Sequence, residues 1–266
     1  MPPLAGVSLR FAIACLLLLA LAALRRVPLG RERRERWLWL ANGVLSFCVS
    51  YGIVYWSEQW VPSGLAAVLF STFPLFVALL AHLLLPGERL RARAVLGALV
   101  GFGGVAVIFS EDLARLGGRG VPFAATVSLL APLASALANV MIKRWGQGIH
   151  PISLTSVPMG IAAVVMGALA WATGEWASVR LDAVSLVALL YLAVPGSVVT
   201  FLLYYWLLGH LRATRLALVA YAIPVVAVGV GALLLDESLT LRVLLGSALV
   251  VAGVATAAGG PPEPRR

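Results

Sequence analysis

Nonpolar residues fill the chain in nine long runs, 4–24, 37–57, 64–85, 92–109, 122–142, 152–171, 185–208, 214–235 and 241–258, joined by short polar connections. Within a run they follow neither the one-sided stripe of a surface helix nor the alternation of a half-buried strand; they cover every face. A bilayer core of ~30 Å takes about 20 residues of helix, the length of these runs. Backbone groups find no water there, so only helices or closed barrels can cross, and the runs are too long and continuous for barrel strands. The pattern predicts an all-α polytopic membrane protein. The first run is read as a retained span, because no basic segment precedes it and Arg25 and Arg26 follow it.

Composition sharpens this. The 266 residues are 61% hydrophobic and 12% charged, against about 45–50% and about 25% in soluble domains. Too few polar side chains exist to coat a water-facing surface, which excludes an ordinary soluble enzyme and a disordered chain. The net charge is +9. With the tail placed in the cytoplasm, the loops on that side carry 15 Lys/Arg; the opposite side carries four, and Arg10 lies inside the first run. This positive-inside bias puts the C-terminus in the cytoplasm and the N-terminus of this chain outside, in the plasma (inner) membrane. The basic surplus therefore reads as orientation and contact with lipid headgroups, not as a nucleic-acid surface. Cys15 and Cys48 lie in nonpolar runs, and His82, His150 and His210 are far apart, so no disulfide framework, metal site or cofactor is expected.

The chain also repeats itself. At an offset of 150, Tyr55-Trp56 matches Tyr205-Trp206, Ala67 matches Ala217, and Pro74 matches Pro224; at 149, Glu88 matches Glu237, Gly97 matches Gly246, and Gly104 matches Gly253. Helices two to four thus align with helices seven to nine, and Pro3 near helix one aligns with Pro151 near helix six. The offset spans five helices, an odd number, so the two copies are expected to insert upside-down relative to each other, as in alternating-access carriers. Helix five has no mate. The repeating unit is five helices, with one absent from the front: an N-terminal copy over 1–110, a C-terminal copy over 122–259 and a cytoplasmic tail over 260–266.

These residues resemble the EamA-type branch of the drug/metabolite transporter superfamily. The opening PPLAGVSLRFAIACLLLLALAALRR is similar to that family's second helix. LAAVLFSTFPLFVALLAHLLLPGERL is similar to its fourth, and LALVAYAIPVVAVGVGALLLDESLTLRVLLGSALVVAGV to its ninth and tenth. The resemblance implies ten helices in two inverted five-helix halves and export of small metabolites, amino acids or drugs, driven in many members by a proton gradient. The chain departs from it at the front, where the first helix of the ten is expected either upstream of this start or absent from a truncated form.

Polar groups inside a membrane are costly unless they face a cavity or a partner. Asn42, Ser46 and Ser50 share one face of helix two. Ser128, Ser135 and Asn139 share one of helix five, with Pro132. Ser197, Thr200 and Tyr204 share one of helix seven. Ser71 and Tyr221 are repeat mates three residues before the matched prolines. In the family's arrangement these helices surround a central cavity, so the set is a candidate substrate pathway; bonding between helices, or back to the same helix, is the alternative. Pro74, Pro224 and Pro195 each remove a backbone donor and are candidate hinges or static kinks. The glycines of helices four and nine suit close packing.

Glu58, at the outer end of helix two, is the proton-coupling candidate. Arg10 either snorkels outward or contacts an anionic substrate group. Glu88 and Glu237 suit the positive ends of helices four and nine. Trp37, Trp39, Trp56, Trp60, Trp145, Trp171 and Trp176 sit near run ends as an interfacial belt would. The expected function is a secondary active transporter of a small molecule, with membrane lipid and protons as further partners. A truncated, non-transporting membrane partner and a membrane-embedded enzyme are the alternatives. Substrate, direction of transport and oligomeric state are not legible.

Overall fold

The computed structural model describes residues 1–88, 90–110, 120–234 and 240–258. They form nine membrane-length or shorter apolar helices and no strand among the described residues. The helices are α1 (Pro3–Leu24), α2 (Arg33–Ser57), α3 (Ser63–Leu84), α4 (Ala92–Ile108), α5 (Val121–Trp145), α6 (Pro151–Ala172), α7 (Ala183–His210), α8 (Ala213–Ala217 and Val219–Leu234) and α9 (Leu241–Ala258). Among the described residues seven are long and apolar enough to cross a bilayer; α4 and the Ala213–Val226 stretch of α8 are shorter apolar helices. Their outward faces carry large nonpolar side chains, among them Leu16 at 67% exposure and Val184 at 79%. That is the reverse of a soluble surface and suits contact with lipid. Arg115, Arg119, Glu237 and the tail over 260–266 lie outside the described residues.

Local chemistry sets the helix ends. Proline occupies the first turn of α1, α5 and α6, where no intrahelical donor is needed. His150 Nδ1 accepts the Ile152 N–H at the start of α6, and Asp182 accepts the Ser185 N–H at 2.7 Å at the start of α7. That bond holds the Asp182 carboxyl below its ordinary value. Glu88 also caps a helix, but not its own: its carboxylate accepts the N–H groups of Ala213 and Thr214 at the head of α8.

Several helices are irregular inside. α2 is π-helical over Gly43–Ser50 and α7 over Val194–Val199. A shift of 150 lays the first segment on 193–200, so the two irregularities are repeat mates. Pro195 accounts for one of them by removing a donor. α3 breaks at Ser71–Thr72, one turn before Pro74, and α8 breaks at Leu218, upstream of Pro224.

The helices form two compact units. Unit 1 comprises Met1–Trp56 and Leu137–Leu211; unit 2 comprises Ser57–Ala136 and Arg212–Arg266. Each draws on both sequence halves and pairs repeat mates. In unit 1, α1 runs along α6: Ser8 Oγ donates to the Ala163 carbonyl, Cys15 Sγ lies against Gly160, and the Ala5 N–H reaches Glu175. As numbers rise on α1 they fall on its partner, so the pair is antiparallel. In unit 2, α4 runs along α9 in the same sense. A Cβ on Gly97 would lie 2.5 Å from the Gly253 carbonyl oxygen, and one on Gly104 would lie 2.6 Å from that of Gly246. The 149-residue shift exchanges these two contacts, as a local twofold would. Only glycine permits such an approach.

Candidate functional site

α7 carries the polar groups of unit 1 past three other helices. At its π-helical segment, Ser197 is fully buried; its Oγ accepts from Arg10 Nε at 2.8 Å and donates to the Leu192 carbonyl at 2.9 Å. Arg10 Nη2 donates to the Gly196 carbonyl at 3.1 Å, one of the backbone groups of the irregular segment. The guanidinium lies 5.3 Å from the Tyr51 ring centroid and 5.6 Å from that of Phe11. Arg10 therefore does not snorkel outward; it points into the unit and is 7% exposed.

About 12 Å further along α7, at 1.5 Å per residue, two adjacent tyrosines each take a different asparagine. Tyr205 donates to Asn42 Oδ1 at 3.0 Å, while Asn42 Nδ2 donates to the Leu154 carbonyl of α6 at 2.9 Å. Asn139 Nδ2 donates to the Tyr204 hydroxyl, and its Oδ1 is buried without a partner. Ser46 lies within hydrogen-bond reach of Tyr205. Phe47 and Phe201, with ring centroids 4.9 Å apart, link the two levels: Phe47 stacks on Tyr51 and Phe201 lies against Tyr205. A cavity of about 370 Å³ opens beside Tyr205 and Trp206, lined also by Lys143, Gln147, His150 and His210. These residues belong to, or adjoin, the connections that carry the basic excess.

The remaining sequence candidates sit differently. Ser71 in unit 2 donates to Val68 of its own helix, and Ser128 to Ala124 of its own. Tyr221 is fully buried with its ring on Gly101 and its hydroxyl on the Ala98 carbonyl of α4 at 2.8 Å. Thr200 is exposed and bonds back to Pro195. Ser50 is buried and Ser135 half-buried. Glu58 lies in the turn after α2, where partial desolvation raises its carboxyl above the ordinary value. Unit 1 thus gathers Arg10 with Ser197, Asn42 with Tyr205, and Asn139 with Tyr204. In unit 2, of the described candidates, Ser71 and Ser128 bond back to their own helices and Tyr221 bonds to α4.

The sequence matches the profile of the EamA-like transporter family over residues 1–110 and 122–258. The chain belongs to that family. It is 27% identical to the uncharacterized transporter YvbV of Bacillus subtilis, over 95% of this chain and 81% of that protein. It is 31% identical to the uncharacterized inner membrane transporter YedA of Escherichia coli K12, over 90% and 76%. Against the same organism's "probable amino-acid metabolite efflux pump" identity is 26%, over 96% and 85%. A solved crystal structure shares the fold with a TM-score of 0.81 at 21% identity, covering 97% of this chain and 88% of the other. The EamA-like chain is therefore a multi-pass membrane transporter, and its relatives' names point away from an enzyme.

Sequence periodicity missed several members of this site. Tyr205 stood out only as a repeat match, and Tyr51 not at all; their partners lie on other helices at separations that no spacing rule covers. Lys143 counted only as loop charge. Its Nζ donates to the carbonyls of Leu208 at 2.9 Å and Leu211 at 2.8 Å, closing the end of α7. The signal available was Trp39, near a run end. Its indole N–H reaches Ser153, which in turn donates to the buried Glu35.

Proposed function

We propose that this EamA-like protein is a secondary active exporter of small metabolites, amino acids or drugs in the plasma membrane, working by alternating access. The observation that carries this reading is the polar and aromatic ladder of unit 1. Membrane helices seldom enclose an arginine, two asparagines and three tyrosines unless a solute meets them. A relative named as an amino-acid metabolite efflux pump supports export.

The two copies, residues 1–110 and 122–259, act as inverted repeats in this reading; antiparallel packing of the mates α1 with α6, and α4 with α9, supports it. The solute path follows Asn42, Ser46, Asn139, Ser197 and Tyr204, joined by Tyr205. Ser71, Ser128 and Tyr221 serve the packing of unit 2. Pro74, Pro195 and Pro224 are the hinges, and Glu58 is the group through which protons drive the cycle. The basic loops face the cytoplasm with the C-terminus.

The test is counterflow in proteoliposomes holding the full chain. A labelled amino acid or aromatic drug should exchange against its unlabelled form, and Asn139→Ala should slow the exchange about tenfold. Wild-type exchange in Asn139→Ala removes that residue from the path; absence of exchange for every solute offered sinks the reading.

A further inference from the structure

Arg10 is a buried cation that neutral groups surround. It lies seven residues into α1, about 10 Å along the helix axis, and is 7% exposed. An isolated buried cation is costly, and removal of a counter-charge is among the more destabilising events in a protein interior. Yet among the described residues no carboxylate is bonded to it. The four acidic residues of unit 1 are engaged elsewhere: Glu32 with Arg34, Glu35 with Ser153, Glu175 with the Ala5 N–H, and Asp182 with the Ser185 N–H. What surrounds the guanidinium is neutral: the Ser197 hydroxyl, the Gly196 carbonyl, the Tyr51 hydroxyl, and the Tyr51 and Phe11 rings.

Ser197 and Gly196 take one N–H from Nε and one from Nη2, of the five that arginine carries. A neutral glutamine could satisfy a hydroxyl and a carbonyl without the cost of a permanent charge. The charge finds a use if an anion arrives and leaves in the course of the cycle. Arginine's fork matches a carboxylate in particular, through paired charge-assisted hydrogen bonds. A single guanidinium balances a single negative charge, which favours a monocarboxylate over a phosphate dianion. The rings of Phe47, Tyr55 and Phe201 adjoin Tyr51 and continue it as a nonpolar wall for the rest of such a molecule.

We infer that Arg10, positioned by Ser197 and Gly196 of the π-helical turn in α7, is the binding group for the carboxylate of an organic monocarboxylate or zwitterionic amino-acid substrate with a nonpolar side group. This deepens the transport reading and rests on it.

The test compares charge-differing pairs of like shape, phenylacetate with phenylacetamide and L-phenylalanine with L-phenylalaninamide. It uses counterflow in proteoliposomes of the full chain and the shift in melting temperature of the detergent-purified protein. The wild type should favour the carboxylate member of a pair by about tenfold in counterflow, and only that member should raise the melting temperature. In Arg10→Gln the carboxylate-to-amide ratio should fall toward one, and Arg10→Lys should keep an intermediate ratio. Should Arg10→Gln fail to fold, the wild-type ratio and Arg10→Lys still decide. Equal handling of acids and amides by the wild type overturns the inference and leaves the transport reading standing. A ratio unchanged in Arg10→Lys and Arg10→Gln also overturns it. Exchange of no member of either pair, with no thermal shift, overturns both.

Discussion

The α4–α9 pair of unit 2 and the α1–α6 pair of unit 1 share an antiparallel plan, and each joins mates of the sequence repeat. Their contacts differ in kind. α4 and α9 touch backbone to backbone at Gly97, Gly104, Gly246 and Gly253, with Tyr221 wedged on Gly101. α1 and α6 are held apart by side chains: Cys15 on Gly160, Ser8 on Gly167 and on the Ala163 carbonyl. Both pairs must associate without a hydrophobic driving force, since lipid tails are as apolar as leucine. The α4–α9 pair does so by close backbone contact at its glycines. Unit 1 leaves room for polar atoms, and the same helices carry Arg10 and face Asn42. A backbone-to-backbone glycine seam has no side chain to adjust, whereas the Cys15 and Ser8 side chains of the other seam can turn aside.

The sharpest way to break this comparison is to add a methyl group to each seam. A Cβ on Gly253 would lie 2.5 Å from the Gly101 backbone nitrogen, which cannot move alone. Gly253→Ala should cost about 3 kcal/mol, read as loss of monodisperse protein and a lowered melting temperature. A Cβ on Gly160 would meet only Cys15 Sγ at 2.9 Å, an end that can turn aside; Gly160→Ala should cost about 1 kcal/mol. Equal losses would show that the seams do not differ in rigidity.

Next in size is the tyrosine contrast. Tyr205 gives its hydroxyl to Asn42 in unit 1, and Tyr221 gives its own to the Ala98 carbonyl in unit 2. Each substitution to phenylalanine should cost ~1 kcal/mol of stability. Tyr205→Phe should in addition slow counterflow about tenfold, while Tyr221→Phe should retain transport per folded molecule. Transport loss in Tyr221→Phe equal to that in Tyr205→Phe would return Tyr221 to the solute path.

Glu88→Gln probes unit 2 again. It keeps the shape of the cap on α8 and removes its charge, so the melting temperature should fall by the equivalent of about 1 kcal/mol. A melting temperature equal to wild type would mean that the amide caps as well as the carboxylate.

The smallest effect concerns Glu58. Desolvation raises its folded-state titration above that of an unfolded carboxyl. The neutral form is thus favoured by folding; that stability is present at low pH and is lost as pH rises through the shifted value. Melting temperature should fall slightly over that interval in the wild type and stay flat in Glu58→Gln. If Glu58 also carries the driving proton, Glu58→Gln should remove the acceleration of export by an acidic outer medium. An unchanged pH profile removes it from that role.

Much of this protein was written in one dimension. Helical spans of about 20 nonpolar residues follow from the bilayer's thickness and its intolerance of bare backbone, which act on each segment separately. The pairing of Gly97 with Gly246 and of Gly104 with Gly253 was visible as a repeat. That the contacts run crosswise, Gly97 to Gly253 and Gly104 to Gly246, appeared only when antiparallel mates met. The polar stripes illustrate the limit further. Ser128 and Asn139 share a helix face by spacing, yet one bonds back to its own backbone and the other crosses to Tyr204. Helical periodicity fixes a direction from the axis but not the neighbour found there.

Arg10 shows the division most plainly. Its lone charge within a nonpolar run was legible, and the sequence allowed two fates, outward to the headgroups or inward to an anion. The structure turns it inward onto α7, whose π-helical turn presents a neutral hydroxyl and a neutral carbonyl at hydrogen-bond distance. The energy of a buried charge is set by what surrounds it within a few ångströms, and here its hydrogen-bond acceptors Ser197 and Gly196 lie nearly two hundred positions away.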